Sequence, residues 1–216
     1  MQAKKAPIKI TLLYLVFVVI FYIISFYFFD KPLSYIIFDN PQFIFYVLNT
    51  SLFLSKVFDP NHWVIIMILS FFLGIYIWFK NKNQKDLKKE NHYFVITLAI
   101  FLALFIGTIL KYTLARYRPE LLFSENLYGF HFFSSKHSFN STPSGHALAN
   151  FSGLLSLAFI CQKRLCFIIA ILLAVIICIA RLIVLDHFLS DVVFGAYIGI
   201  FSFIWAKWLL IDRKMH

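Results

Sequence analysis

The sequence predicts an all-α integral membrane protein: a six-transmembrane-helix bundle with an interfacial segment after the first helix. Two observations support this prediction. First, 61% of the 216 residues are hydrophobic and only 14% are charged, whereas soluble domains are about 45–50% apolar and about 25% charged. Second, apolar runs long enough to cross a bilayer recur along the chain. At this length we expect a single domain over residues 1–216.

The first apolar run covers residues 8–29 and is long enough to span a bilayer as one helix. A cleaved signal peptide is the alternative. The run exceeds the apolar region of a signal peptide, and no pair of small residues that would mark a cleavage site precedes Asp30. We therefore expect a retained transmembrane helix.

Residues 31–63 have a mixed composition and contain three prolines. Because proline resists a helix interior, Pro32, Pro41 and Pro60 are expected to divide this region into pieces. The middle piece, roughly residues 42–58, is apolar but short. Its length favours an interfacial or re-entrant helix over a membrane span.

Five further apolar runs predict membrane spans. They cover about residues 63–79, 92–112, 146–160, 165–185 and 191–210. Six spans put both termini on the same side of the membrane. That side carries thirteen of the Lys and Arg residues and the other side carries seven, which predicts that both termini are cytoplasmic.

The formal net charge of +10 is read as membrane topology, not as nucleic-acid binding. The cations lie mostly in short segments between apolar runs, a distribution typical of membrane topology and of contact with anionic lipids. The three cysteines, Cys161, Cys166 and Cys178, show neither metal-ligand spacing nor a disulfide framework. We expect them to be small packing residues.

The first polar cluster is KYTLARYRPE, residues 111–120. Lys111 and Arg118 are seven residues apart, or two helical turns, so they share a face if the helix runs that far. Pro119 then ends the helix, because the residue before a proline avoids the α region. Two stacked cations suit a phosphate, although snorkelling to lipid phosphate explains either one alone.

The second cluster is STPSGHALAN, residues 141–150, at the start of the fourth span. Ser144 and Gly145 lie where free N–H groups and the helix dipole favour an anion, and glycine allows its close approach. His146 falls in the first turn, from which it can donate a proton to a leaving oxygen. A solvated histidine is the alternative for this residue alone.

The third cluster is ARLIVLDHFLSDV, residues 180–192. His187 and Asp191 are four residues apart. On one helical face the carboxylate would hold one imidazole nitrogen and leave the other as nucleophile or base. Arg181, near the outer end of the preceding span, would reach the same anion. A plain interfacial His–Asp pair is the alternative for these two residues taken alone.

Together the clusters place three cations, two histidines and a carboxylate on the outer membrane face. His146, His187 and Asp191 are conceivable metal ligands, but the neighbouring cations would repel a divalent ion. The sequence therefore predicts no metal and no cofactor. It favours an anionic substrate and phosphoryl transfer through histidine.

Three motifs, in this order and spacing, resemble those of the type 2 phosphatidic acid phosphatase superfamily, in its bacterial membrane lipid phosphatase branch. They are K-x6-RP at Lys111, Arg118 and Pro119; PSGH at residues 143–146; and R-x5-H-x3-D at Arg181, His187 and Asp191. The resemblance spans residues 111–191. The first ninety residues agree only in being membrane helices.

The resemblance implies a phosphohistidine mechanism. His187 would attack phosphorus, Asp191 would orient it, and His146 would protonate the leaving oxygen. The phosphate-binding residues would be Lys111, Arg118, Ser144, Gly145 and Arg181. The family usually has serine where this chain has Ala180, so we expect slower or differently tuned turnover, which Ala180→Ser would change.

The resemblance also implies a lipid substrate at the extracytoplasmic face: undecaprenyl diphosphate, phosphatidylglycerophosphate or a lipid A phosphate. The aromatic-rich segment 120–142 either helps to select the headgroup or anchors in lipid. Two other functions stay open. One is a phosphotransferase that passes the phosphoryl group to an acceptor such as lipid A. The other is a transporter, which would carry polar residues through a midplane that here is mostly Leu, Ile and Phe.

Overall fold

The computed structural model describes residues 5–80 and 89–213, and these residues form nine α-helices. The helices are α1 (Ile8–Ile24), α2 (Asp30–Asp39), α3 (Pro41–Val57), α4 (Pro60–Lys80), α5 (Lys89–Leu114), α6 (Pro119–Glu125), α7 (Gly145–Cys161), α8 (Arg164–Ile183) and α9 (Leu189–Lys207). Three short helical turns accompany them: two π-helical turns, Ser25–Phe29 and Trp208–Asp212, and one 3-10 turn, His137–Phe139.

Six helical segments confirm the predicted all-α membrane bundle. Five are long and apolar enough to cross a membrane: Ile8–Asp39, Val47–Lys80, Asn91–Leu114, Arg164–Ile183 and Leu189–Asp212. The first of these contains α1 and α2, and the second contains most of α3 together with α4. The sixth, α7, is apolar and has 17 residues. Large apolar side chains are exposed along α1, α4 and α8, as lipid contact requires.

The first helical segment runs past its predicted end at residue 29. A π-helical turn, Ser25–Phe29, joins α1 to α2, so the segment continues to Asp39. Pro32, predicted to interrupt the chain, lies in the first turn of α2, where proline is tolerated. The extension brings Asp30 into the bundle, where it is 1% exposed.

The other two prolines of this region begin helices. Pro41 is the first residue of α3 and Pro60 is the first residue of α4, which is the helical position that proline favours. Helix α3 covers the piece predicted as an interfacial or re-entrant helix, and it packs against α8. Its depth in the membrane stays a prediction.

Helices α5, α7 and α9 pack on one another, with α8 against α7, α4 against α5 and α1 against α9. Glycines let α9 approach α7 closely. A Cβ added at Gly195 would lie 2.7 Å from the carbonyl oxygen of Ser144, and one at Gly199 would lie 2.5 Å from that of Leu148. Small residues at such contacts are typical of membrane helix packing.

Two of the three cysteines differ from the predicted packing role. Cys161, at the end of α7, and Cys166, in the first turn of α8, form a disulfide with their Cα atoms 6.5 Å apart. Gln162 adopts a left-handed conformation with φ of 56° and reverses the chain between the two helices. This turn brings the two thiols together, which the sequence spacing did not reveal. Cys178 is a buried free cysteine.

Candidate active site

A cavity of about 620 Å³ opens where α5 and α8 end and α7 and α9 begin. Six of the eight predicted site residues line it: Lys111, Arg118, Gly145, His146, Arg181 and His187. The other two, Ser144 and Asp191, are fully buried and contribute no atoms to its wall. The fold therefore gathers residues from all three motifs around one space.

Lys111 and Arg118 meet at the cavity, but one helix does not carry both, so that part of the prediction is wrong. Helix α5 ends just before Ala115, whose φ of 44° turns the chain away. Arg118 is extended because it precedes Pro119, the first residue of α6. The Lys111 Nζ donates a hydrogen bond of 2.6 Å to the carbonyl oxygen of Asn140.

The start of α7 presents Gly145 to the cavity. Ser144 is the N-cap residue: its Oγ accepts a hydrogen bond from the N–H of Ala147 at 3.5 Å. The N–H of Ser144 in turn donates to the carbonyl oxygen of Asp191 at 3.0 Å. A Cβ added at Gly145 would make ordinary van der Waals contacts of 3.8 Å with Cε of Lys111 and Cγ of Pro60, so Gly145 lies directly beside the Lys111 side chain.

His146 is held at the cavity by helix α3, a contact that the sequence did not predict. Its Nε2 lies 3.1 Å from the carbonyl oxygen of Ser55 and 4.0 Å from Oδ2 of Asp59. A carbonyl oxygen can only accept a hydrogen bond, so this contact assigns a proton to Nε2. Nε2 is therefore the nitrogen whose proton His146 could donate, and the ring is a general acid only when Nδ1 is also protonated, because the N–H of a neutral imidazole is too weak an acid.

His187 lies in the short connection between α8 and α9 and is 3% exposed. Burial lowers the pKa of its imidazole well below the ordinary 6.5, and Lys111, Arg118 and Arg181 lower it further. The ring is therefore neutral near pH 7, the form that a nucleophile needs. Among the described residues its Nδ1 has no hydrogen-bond partner.

Asp191 does not hydrogen-bond to His187, because the two residues do not share a helical face. Helix α9 begins only at Leu189, after His187. The Oδ2 of Asp191 instead accepts from the N–H of Phe188 at 2.9 Å and from Oγ of Ser141 at 2.5 Å. The predicted direct His–Asp contact is therefore wrong for this geometry.

A fully buried arginine, Arg116, binds the other oxygen of Asp191. Its Nη1 lies 2.5 Å from Asp191 Oδ1 and 2.6 Å from the Oγ of Ser190. Its Nη2 lies 2.8 Å from Oδ2 of Asp30. Thr142 also donates a hydrogen bond to Asp191. The sequence showed Arg116 only as one more outer cation, since nothing in KYTLARYRPE separates it from Arg118.

Asp186 is a second cavity residue that the sequence prediction missed. Its carboxylate forms ion pairs with Arg118 and with Arg181. Its Oδ2 also lies 3.8 Å from Nε2 of His187. The available signal was its place directly before the predicted nucleophile.

The cavity wall has two chemical halves. The polar half carries four Lys and Arg side chains, Lys56, Lys111, Arg118 and Arg181, and two carboxylates, Asp59 and Asp186. The apolar half includes the leucines at positions 52, 104 and 148, from α3, α5 and α7. An excess of basic groups beside an apolar wall suits a ligand that joins an anionic head to an apolar tail.

Comparisons with known proteins identify the family and a similar fold. The sequence model of the PAP2 superfamily matches residues 92–215, which include all three motifs. A solved structure, described as the first transmembrane PAP2 type phosphatidylglycerolphosphate phosphatase from Bacillus subtilis, is similar with a TM-score of 0.62. The two sequences are 18% identical, and the match covers 93% of this chain and 96% of that one. No curated protein matches the sequence significantly.

Proposed function

The chain belongs to the PAP2 superfamily and is an integral membrane phosphatase, and from this premise we propose that it hydrolyses a lipid phosphate or diphosphate at the extracytoplasmic face. The observation that supports this proposal is the cavity, in which basic side chains surround a neutral His187 and an apolar wall continues from them. Such a wall suits an acyl or prenyl chain.

In the first step, Nε2 of His187 attacks phosphorus, and the bond from phosphorus to the lipid oxygen breaks. His146, as the imidazolium, gives the proton of its Nε2 to that leaving oxygen and becomes a neutral imidazole. Three basic side chains, Lys111, Arg118 and Arg181, hold the non-bridging oxygens, where negative charge builds in the transition state.

In the second step, water attacks the phosphohistidine. His146, now without its proton, accepts one from the water, and the phosphorus–nitrogen bond returns its electron pair to His187. Inorganic phosphate then leaves the cavity. If an alcohol on a second lipid replaced water here, the same residues would catalyse transfer, the alternative reaction.

Asp191 acts on His187 indirectly in this mechanism. Its carboxylate accepts a hydrogen bond from the N–H of Phe188, the residue next to His187, and another from Nη1 of Arg116. We therefore assign Asp191 as a positioning residue for the connection that carries the nucleophile. Ser144 caps the helix that presents Gly145 and His146, and the Gly145 amide contributes to phosphate binding.

The substrate candidates are undecaprenyl diphosphate, phosphatidylglycerophosphate and a lipid A phosphate. The Bacillus subtilis protein with the similar fold is named for the second of these, which makes that lipid the first to assay. A panel of all three on the purified protein decides among them.

The test is release of inorganic phosphate from the lipid panel by purified protein in EDTA. We expect His187→Ala to abolish release, by at least about a thousandfold, because it removes the nucleophile. His92→Ala is the matched control, since His92 lies at the start of α5, at the other end of that helix from Lys111. Release that persists in His187→Ala, or that requires added Mg²⁺, contradicts the mechanism. Label found on a lipid acceptor, with little free phosphate, indicates the transferase.

A further inference from the structure

Asp186 has no role in the chemistry above, yet its carboxylate lies among the groups assigned to the phosphate. Its Oδ1 accepts a hydrogen bond from Nη1 of Arg118, and its Oδ2 is paired with Nη2 of Arg181. The same Oδ2 lies 3.8 Å from Nε2 of His187. One carboxylate therefore joins two phosphate-binding arginines directly beside the proposed nucleophile.

The end of α8 directs Asp186 to this position. Leu185 is left-handed, with φ of 56°, and its N–H donates to the carbonyl oxygen of Leu182 at 3.0 Å. The N–H of Asp186 donates to the carbonyl oxygen of Arg181 at 3.2 Å. These two bonds form a Schellman motif, which folds Asp186 back over the turn that carries Arg181.

The backbone of Asp186 stays in place without the ion pairs of its side chain. The backbone of the turn is secured by the Schellman bonds, whereas the side chain is 25% exposed. Rotation of that side chain toward solvent therefore frees both arginines without unfolding the turn. The contacts of the carboxylate with the two arginines can then be exchanged for contacts to a ligand.

We propose that Asp186 makes an autoinhibitory contact: it is an internal anion that the substrate phosphate must displace from Arg118 and Arg181. The inference rests on the proposed function, because it takes these arginines as ligands of the phosphate. A phosphate held by both arginines requires the donors that Asp186 now occupies. The reacting phosphorus must also come within about 3–3.5 Å of the His187 Nε2, where the Asp186 carboxylate lies.

The exchange replaces one anion on the arginines by another. Every ligand that needs the donors of both arginines competes with the same carboxylate, so its apparent affinity falls by the same factor whether it is a phosphomonoester or a phosphodiester. An internal carboxylate that holds the site about nine-tenths of the time weakens the apparent affinity about tenfold.

The test is the affinity of the purified full-length protein for radiolabelled inorganic phosphate, by equilibrium dialysis in detergent. At about pH 8 this probe is mostly dianionic. We expect Asp186→Asn and Asp186→Ala to lower the Kd about tenfold. Glu120→Gln is the matched control, because Glu120 is an exposed acid that acts on Arg118 electrostatically. The Kd of Glu120→Gln for phosphate should stay within about twofold of the wild-type value, because Glu120 does not occupy the donors of the arginines.

Unchanged or weaker phosphate binding in the Asp186 variants, with folding verified by thermal unfolding and size exclusion, overturns the proposal. Short-chain phosphatidylglycerol is the second probe. We expect it to compete with phosphate at about tenfold lower concentration in Asp186→Asn than in the wild type. Competition at the same concentration in both proteins contradicts an internal anion that weakens every ligand of these arginines.

Dialysis and phosphate release separate this proposal from the proposed function. Tighter phosphate binding in Asp186→Asn, without release from any lipid phosphate, supports the internal anion and overturns the phosphatase. His187-dependent release with unaltered phosphate binding in Asp186→Asn supports the phosphatase and overturns the role of Asp186.

Discussion

At the scale of single residues, Arg116 organises the polar interior of the bundle. Its guanidinium is fully buried and forms ion pairs with Asp30 and Asp191. A buried charge is tolerated only when paired and hydrogen-bonded. Asp30 lies on the first helical segment, outside the residues 92–215 that match the family. The N-terminal part of the chain thereby supplies half of the counter-charge for a residue of the family region.

We expect Asp30→Asn to lower the free energy of unfolding by about 3–5 kcal/mol, because it leaves the buried Arg116 without one of its two carboxylates. The measurement is thermal unfolding in detergent. Asp39→Asn is the control, since Asp39 is an exposed acid at the end of α2. A midpoint equal to the wild type for Asp30→Asn would show that Asp191 alone compensates Arg116.

The lowered pKa of His187 predicts how activity depends on pH. Burial, followed by the charges of Lys111, Arg118 and Arg181, opposes protonation of the ring, so the folded pKa lies below the ordinary 6.5. The reactive neutral form therefore persists as the pH falls through 6.5. We expect kcat/KM, corrected for ionisation of the substrate phosphate, to decline only well below that pH. A decline centred at 6.5 would contradict the neutral buried nucleophile.

The lowered pKa of His187 also makes the stability of the folded protein depend on pH. Below pH 6.5 the unfolded chain binds a proton at His187 that the folded chain excludes. Stability contributed by this group is therefore present above the unfolded pKa and is lost as the pH falls below it.

At the scale of elements, the site depends on how closely α9 approaches the start of α7. Gly195 faces the carbonyl oxygen of Ser144, the N-cap of α7, at a distance that leaves no space for a side chain. The N–H of Ser144 also donates to the carbonyl oxygen of Asp191 in α9. Any separation of these helices would move His146 and His187 relative to each other.

We therefore expect Gly195→Ala to lose about 1–3 kcal/mol of stability and much of the phosphatase activity, because backbone atoms block the added methyl group. Gly74→Ala is the comparison. The methyl group there would meet only the ring of Phe94, at 3.0 Å, and a side chain can shift. The measurements are thermal unfolding and phosphate release. Equal effects of the two substitutions would contradict the importance of the α7–α9 contact.

At the scale of the whole molecule, the two ends of the bundle differ in charge and in chemistry. One end holds the cavity and the three motifs. Basic residues at the opposite helix ends include Lys9, Lys80, Lys163, Arg164, Lys207 and Arg213. The positive-inside rule predicts a cytoplasmic location for that second end and an extracytoplasmic one for the cavity.

This topology predicts the labelling of single cysteines in intact cells. In a chain whose three native cysteines are replaced by serine, Ser135→Cys should react with a membrane-impermeant maleimide. Gln162→Cys, in the exposed turn between α7 and α8, should react only after the cells are opened. The reverse pattern would place the cavity on the cytoplasmic side.

Much of the architecture could be predicted from the sequence, because hydrophobicity and proline positions act locally. The six apolar segments and the helix boundaries at Pro41 and Pro60 are examples. The end of the first segment was predicted less well. Pro32 is compatible with a helix once a π-helical turn precedes it, and hydropathy contains no signal for such a turn.

The chemical groups of the site can be predicted from the sequence alone: they are two histidines, three basic side chains and a helix start, carried on spans whose order makes them meet at one end. Their partners, in contrast, depend on the tertiary structure. Arg116 pairs with Asp191, 75 residues away, and His146 with the carbonyl of Ser55, 91 residues away. The exact start of α9 separates His187 from Asp191, and the turn after α8 places Asp186 among the arginines. Such contacts depend on where helices end and how closely they pack, and residue spacing does not encode either property.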